Sequence, residues 1–515
     1  MYLKEQFTMY KLAHDLMTYN HYDVLHINND KEIWLEKYEH KTSKIVRLFH
    51  GGFDWRNHLK NDIAVVFQKV KSMQRLLIGK RIVIHNVYIS SHEPVDDWEF
   101  LKKPMQLKEK NSPQMRVYYM TDDTKNEELK RLRTDAHLMR EIEIEAGPEE
   151  DAIERLIHDY KSKLIKVLQH NRKEEARIFS RGKPFFTFSL IIINILMFLL
   201  LERHGGSMDT ETLIHFGAKY NPLIMDGQWW RILSSMFLHI GFLHLFMNML
   251  ALYYLGTTVE KIYGSWRFLI IYFLSGIGGG LASFALTTNV SAGASGALFG
   301  LFGALLFFGV IYKKLFFQTM GRGLLVIIAI NIILGFSVEH IDIGAHLGGL
   351  ITGFFASSLV HLPKKRHIAM QLAGFGIYIV IILGLTFFGM HNNLHRPSYH
   401  LQEIDGYLDE QNYEAVIESA DKGLENPGDL KPQLLFQRAF AYIHLNEPDL
   451  ALADLQEVIK REKDFPQAYY NLAVLYDDME EREKAVDIAY KAYKLNPHDE
   501  AYRALYKEIS SFKER

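Results

Sequence analysis

Apolar and polar positions divide this chain into three blocks. From about residue 185 to 390 lie seven apolar stretches, Phe185–Leu201, Ile232–Leu255, Phe268–Leu286, Ser295–Tyr312, Gly323–Phe336, Ile343–Leu362 and Met370–Met390. Each is long enough, or nearly so, to cross about 30 Å of hydrocarbon, and the fifth is the shortest. Upstream, Asp23–Ile27, Ile45–Phe49, Arg81–Ile89 and Arg116–Met120 are rich in Val, Ile and Tyr and predict strands. Glu127–Ile142 and Asp151–Asn171 carry the apolar spacing of amphipathic helices. Downstream, Ala439, Tyr442 and Ala451 recur 34 residues later as Ala473, Tyr476 and Ala485, and Ala415 to Pro427 echoes Ala485 to Pro497.

That period, with its small–aromatic–small pattern, resembles the tetratricopeptide repeat, a helix–turn–helix solenoid that binds peptides or partner proteins and performs no chemistry. A generic array of helical hairpins is the alternative. The expected architecture is multidomain: an α/β soluble domain over 1–180, an all-α polytopic membrane bundle over 181–395, and a TPR-like α-solenoid over 396–515.

Charge sets the expected orientation. Arg177, Arg181 and Lys183 precede the first span. Lys261 and Arg267 follow the second, Lys313, Lys314 and Arg322 the fourth, and Lys364, Lys365 and Arg366 the sixth. Under alternation all four clusters fall on one side, while the fifth-to-sixth connection holds Glu339 and Asp342. Basic residues stay in the cytosol. A multi-pass protein of the cell membrane is expected, with a cytosolic N-terminus and, after seven spans, an extracellular repeat domain. The start, MYLKEQFTMY, lacks the basic-then-apolar build of a signal peptide.

Composition removes several classes. The formal net charge of −2 offers no reason to propose nucleic acid as a partner. The absence of cysteine excludes disulfides, thiolate metal sites and cysteine nucleophiles. His14, His21, His26, His40, His50 and His58 are scattered without ligand spacing, so no metal site is assigned.

Polar residues inside apolar spans are costly and need a reason. Three sets stand out: Gly293-Ala294-Ser295-Gly296 opening the fourth span, Ala345-His346 through Gly349 to Gly353 opening the sixth, and His244 with Asn248 in the second, His239 lying one turn earlier. Even-numbered spans enter from the same side, so all three sets are expected at similar depth. His244 and Asn248, four apart, share a helix face. A serine needs a base to become a nucleophile at neutral pH, and His346 is the expected one. No aspartate accompanies it within the span, so a Ser–His dyad is expected rather than a triad. His244, Asn248 and the Ser295 amide are the expected oxyanion donors, helped by a helix N-terminus. Gly296-xxx-Gly300 and Gly349-xxx-Gly353 are small-xxx-small patterns that let the fourth and sixth helices approach closely. Taken singly, GASG is also a helix-packing motif, the HxxxN set also suits a transporter cavity, and His346 also suits a proton relay.

At these residues the chain resembles the rhomboid family of intramembrane serine proteases. The matching run begins at Trp230-Arg231 and continues through His244-xxx-Asn248, Glu260, Gly293-Ala294-Ser295-Gly296 and Ala345-His346-xx-Gly349-xxx-Gly353. The resemblance implies a six-helix catalytic core, a Ser295–His346 dyad, and an oxyanion site of His244, Asn248 and the Ser295 amide. It implies that Trp230 and Arg231 shape the first loop, and that Glu260 is a structural hydrogen-bonding residue. Substrates would be single-span or polytopic membrane proteins, cut after a small residue in or beside a helix that unwinds easily. No metal or cofactor is implied. The additional soluble domains and seventh span resemble the long GluP-type rhomboids of Gram-positive bacteria, with possible protein partners at the N-terminal and repeat domains.

Two other readings stay open. One is an adaptor that recruits client membrane proteins to another protease through its soluble domains. The other is a transporter with intramembrane histidines, disfavoured because the spans show no halved repeat.

Overall fold

A computed structural model describes residues 2–511 apart from 29–30, 75–76, 78, 80, 108–111, 141, 143–149, 339–340 and 366. Glu339 and Arg366, used above for orientation, lie outside the described residues. The chain forms two compact units, residues 1–181 with 308–327, and 182–307 with 328–515.

The first unit is built on a six-stranded mixed sheet in the order β1-β2-β3-β4-β6-β5. The strands are β1 (Asp23–Asn28), β2 (Glu32–Glu39), β3 (Thr42–His50), β4 (Arg81–Ile89), β5 (Met105–Gln106) and β6 (Gln114–Met120). β3, β4 and β6 run parallel, and β1, β2 and β3 form an antiparallel meander. Parallel strands covered on both faces read as continuous apolar runs, and β4 is buried on nearly every residue. One face, with Leu35, Val46, Leu48, Val87 and Tyr118, packs on α1 (Tyr2–Asn20), α3 (Lys125–Ala136) and α4 (Glu150–Ile178). The other, with Ile45, Ile84, Tyr88 and Val117, packs on α2 (Arg56–Met73).

One expectation is corrected here, and one strand is added. The helix expected over Glu127–Ile142 ends at Ala136, because His137 adopts a left-handed conformation (φ 53°) and donates its N–H to Arg133 and Thr134 carbonyls. β2 escaped the sequence reading because its charges mask it, yet they are paired with β3 and with Lys314. The Ser43 hydroxyl donates to Glu36 (3.0 Å), Lys314 lies 3.3 Å from the other Glu36 oxygen, and Arg47 donates to Glu32 (2.8 Å).

The remaining helices are α5 (Phe185–Arg203), the short α6 (Thr210–His215), α7 (Asn221–Met225) and α8 (Arg231–Ser234), α9 (Gly241–Ala251), α10 (Thr257–Tyr263), α11 (Ser265–Leu286), α12 (Ser295–Ile311), α13 (Lys313–Thr319), α14 (Gly321–Ser337), α15 (Ile343–Val360) and α16 (Ile368–Asn393). A π-helical turn, Leu252–Gly256, joins α9 to α10. Among the described residues, five helices are long and apolar enough to cross a membrane: α5, Gly241–Tyr263, α11, α15 and α16. α13 and α14 qualify only as a pair, bent by 73°, and α12 is an apolar helix of 17 residues. The second apolar helix starts at Gly241, not at Ile232. Residues 232–240 are spent on α8, a 3₁₀ turn and an extended link. Apolar content alone could not separate that entry from the helix.

Beyond them α17 (Pro397–Asp409), α18 (Tyr413–Leu424), α19 (Lys431–His444), α20 (Pro448–Arg461), α21 (Pro466–Asp478), α22 (Arg482–Leu495) and α23 (Glu500–Ser511) stack as helical hairpins. The recurring alanines Ala439, Ala451, Ala473 and Ala485 are fully buried between them. Only a small residue fits at each of these helix contacts, which is why the period was visible in the sequence.

Candidate active site

Glycines bring three helices into backbone contact. A Cβ added to Gly349 on α15 would fall on the carbonyl of Gly296 on α12, and one on Gly353 on the backbone of Gly300. A Cβ on Gly279 of α11 would lie 2.8 Å from the Ala345 carbonyl. With no side chain between them, α12 and α15 hold Ser295 and His346 on adjoining first turns.

Ser295 is the first residue of α12 and is half-buried. His346 meets α12 through Phe299, one turn below the serine. The two rings stack with centroids 4.1 Å apart and planes 9° apart. Nδ1 of His346 is buried without a hydrogen-bond partner, and among the described residues the serine and the imidazole form no hydrogen bond. Asp342, one turn before His346, is occupied elsewhere. It caps α15 by accepting from the Ala345 N–H (2.9 Å), and its other oxygen accepts from the Ser283 hydroxyl.

The segment leading to Ser295 is anchored at two amides. Gly293 N–H donates to the Ser235 carbonyl (2.9 Å), and Ala294 N–H to Nε2 of His239 (3.5 Å). Gly293 has φ +150°, and a Cβ there would come 2.7 Å from Cε1 of His244, so glycine is what admits the His244 ring beside the loop that leads to Ser295. The His239 and His244 rings meet edge to face at 5.4 Å. Asn248, buried on the next turn, donates from Nδ2 to the His244 carbonyl (2.9 Å). Ser295 and His346 are therefore carried on helices in backbone contact, and the His244 ring adjoins the loop before Ser295, with Asn248 one turn further along.

Trp230 and Arg231 sit in the loop between α5 and α9. Arg231 is buried. It donates to the carbonyls of Ile214 (2.6 Å) and Ala218 (3.2 Å) and to Gln228 Oε1 (2.8 Å), and its guanidinium lies 4.9 Å over the half-exposed Trp230 ring. Glu260 is fully buried at the far end of the same helical layer. It accepts from Phe186 N–H (3.2 Å), Thr187 N–H (2.9 Å) and the Thr187 hydroxyl (2.7 Å), satisfying the first amides of α5.

Sequence reasoning gave no role to Phe299, Ser235 or Lys219, and none to His239 beyond its position. Each acts through a partner distant in sequence, so no local pattern marks it.

Comparison with known proteins places residues 226–363 in the Rhomboid domain family and residues 466–499 in a Tetratricopeptide repeat. The chain is 37% identical over 516 residues to rhomboid protease GluP of Bacillus subtilis (strain 168), covering 100% of both. It is 33% identical over 198 residues to putative rhomboid protease YdcA of the same organism, covering 38% of this chain and 98% of that one. Rhomboid protease AarA of Providencia stuartii is 31% identical over 228 residues, covering 38% of this chain and 80% of the relative.

Proposed function

The chain belongs to the rhomboid family of intramembrane serine proteases, and on that premise we propose that it cleaves membrane proteins in or beside a transmembrane helix through a dyad of Ser295 and His346. The observation that carries this reading is the glycine contact of α12 with α15, which leaves no side chain between the two first turns. In this reading His346 takes the Ser295 hydroxyl proton as the oxygen adds to the scissile carbonyl. It returns the proton to the leaving amine, then activates the water that releases the acyl group. Catalytic hydrogen bonds in unliganded sites are often long and tighten when substrate binds. The stacking on Phe299 supports a dyad, because packing holds the imidazole where a triad would use a carboxylate.

The developing oxyanion faces the Ser295 amide at the start of α12, the His244 ring, and the second Nδ2 hydrogen of Asn248. Trp230 and Arg231 shape the first loop, and Glu260 holds the start of α5.

We further propose seven spans, the fifth being Gly323–Phe336 within α14, with Lys313, Lys314 and Arg322 in the connection before it. Residues 1–180 form a cytosolic domain, 181–395 the protease domain, and 396–515 an extracellular repeat domain that binds protein partners. The basic residues flanking alternate spans support that orientation.

The test is cleavage of a tagged single-span membrane protein, in native membranes, by the chain and by its Ser295→Ala form. Cleavage by the unaltered chain alone is the expected result. Equal cleavage by both, or by neither across several substrates, moves the weight to the adaptor.

A further inference from the structure

Every helix end leaves carbonyls without intrahelical partners. At the end of α11 they are taken up by side chains from two other segments. From the end of α16, Asn393 donates to the Phe284 carbonyl (3.1 Å) and Asn392 to that of Ala285 (3.0 Å). From the start of α7, Asn221 donates to the carbonyls of Phe284 (3.2 Å) and Thr287 (3.1 Å) and to Asn393 Oδ1 (2.8 Å).

Lys219 completes this knot. Its Nζ donates to the Thr287 carbonyl (3.0 Å) and to Asn221 Oδ1 (3.0 Å). A lysine only 1% exposed, with no carboxylate in salt-bridge reach among the described residues, is costly. Burial pushes its ammonium down to about 8. Its place at the negative end of the α11 dipole offsets part of that cost. The Lys219 backbone also pairs in both directions with Ser291 (2.9 and 3.1 Å), four residues ahead of Ser295.

The same loop is gripped by the first helix of the repeat region. Gln402 on α17 donates from Nε2 to the Thr288 carbonyl (2.9 Å), and the Thr288 hydroxyl donates to that of Ser398 (3.0 Å). The Tyr220 hydroxyl, next to Lys219, donates to the Gln402 carbonyl (2.8 Å). The segment 287–294 is therefore held by Lys219 and α17 at its start and by Ser235 and His239 at its end.

We propose that Lys219 is a positioning residue for the Ser295 nucleophile and that α17 locks it in place, making the first repeat helix part of the catalytic scaffold. The proposal rests on the reading of Ser295 given above. It makes a partner that pulls on the repeats a modulator of turnover.

The test uses the full chain, its Lys219→Met form, and a Ser398→Ala/Gln402→Ala form altered only on α17. Two quantities are read: kcat and KM for a single-span substrate, and the rate at which a fluorophosphonate labels the serine. Both variants are expected to lose at least about fivefold in kcat and in labelling rate, as misplaced reacting groups do, with KM within about twofold. The α17 variant decides if Lys219→Met fails to fold. If the unaltered chain is labelled, Ser295→Ala is not, and the α17 variant matches the unaltered chain, this inference alone is overturned. If Ser295→Ala is labelled as fast as the unaltered chain, the nucleophile assignment falls and this inference with it.

Discussion

The imidazole of His346 lies flat on the ring of Phe299, with centroids 4.1 Å apart and planes 9° apart. Phe299 follows Ser295 by one helical turn, so the residue that sets the plane of the proposed base rides on the helix that carries the proposed nucleophile. Asp342, the nearest carboxylate in sequence, is engaged by Ala345 and Ser283. Aromatic stacking contributes about 0.5–1.5 kcal/mol beyond burial. Phe299→Leu is therefore expected to lower kcat by up to about tenfold with little change in KM. Steady-state kinetics on a membrane substrate checks this.

Gly349 has no room for a side chain, since a Cβ would fall on the Gly296 carbonyl. Gly349→Ala is expected to push α15 from α12 and cost about 1–3 kcal/mol of stability, as overpacked cores do. Displacing His346 by about 1 Å would cost on the order of a hundredfold in kcat. Thermal unfolding and cleavage measured on the same preparation separate the two effects. A variant of unchanged stability and rate would contradict the close approach.

Glu260 is expected to serve stability, not chemistry. Its carboxylate accepts three hydrogen bonds from the start of α5, and unsatisfied buried donors cost about 1–3 kcal/mol each. Glu260→Ala should lower the unfolding temperature sharply while the folded fraction keeps its kcat, and Glu260→Gln should recover part of the loss. Active-site titration of the surviving protein distinguishes this from a catalytic defect.

The α/β domain should be acid-sensitive through His85. This residue is fully buried on β4, with Nδ1 in a hydrogen bond to the Tyr118 hydroxyl (3.0 Å) and Nε2 without a partner among the described residues. Burial pushes its pKa down to about 3. Between that value and the ordinary 6.5 the unfolded chain binds a proton that the folded one refuses. Its contribution to stability is therefore present above about pH 6.5 and is lost as pH falls toward about 3. Amide exchange of Arg81–Ile89 in the full chain should quicken over that range, and His85→Phe should flatten the dependence.

What the sequence determined by itself rests on local pattern. Apolar runs marked the long apolar helices between residues 185 and 393, because a membrane span must be apolar over its whole length, whereas α1 and α2 of the α/β domain went unmarked. The 34-residue period marked the repeats, because alanines such as Ala439 and Ala473 sit where only a methyl fits. Ser295, His346, His244 and Asn248 stood out as candidates because a polar group in an apolar span needs a use. Only the tertiary structure decided the rest. The strand Glu32–Glu39 was hidden by charges whose partners, Arg47 and Lys314, come from elsewhere in the chain. The second apolar helix could not be told from its entry until residues 232–240 were seen to turn. Phe299, His239 and Lys219 look like ordinary core or loop residues in isolation. Their roles arise from partners about 50 to 70 positions away in sequence, and no local spacing encodes contacts made only when helices pack.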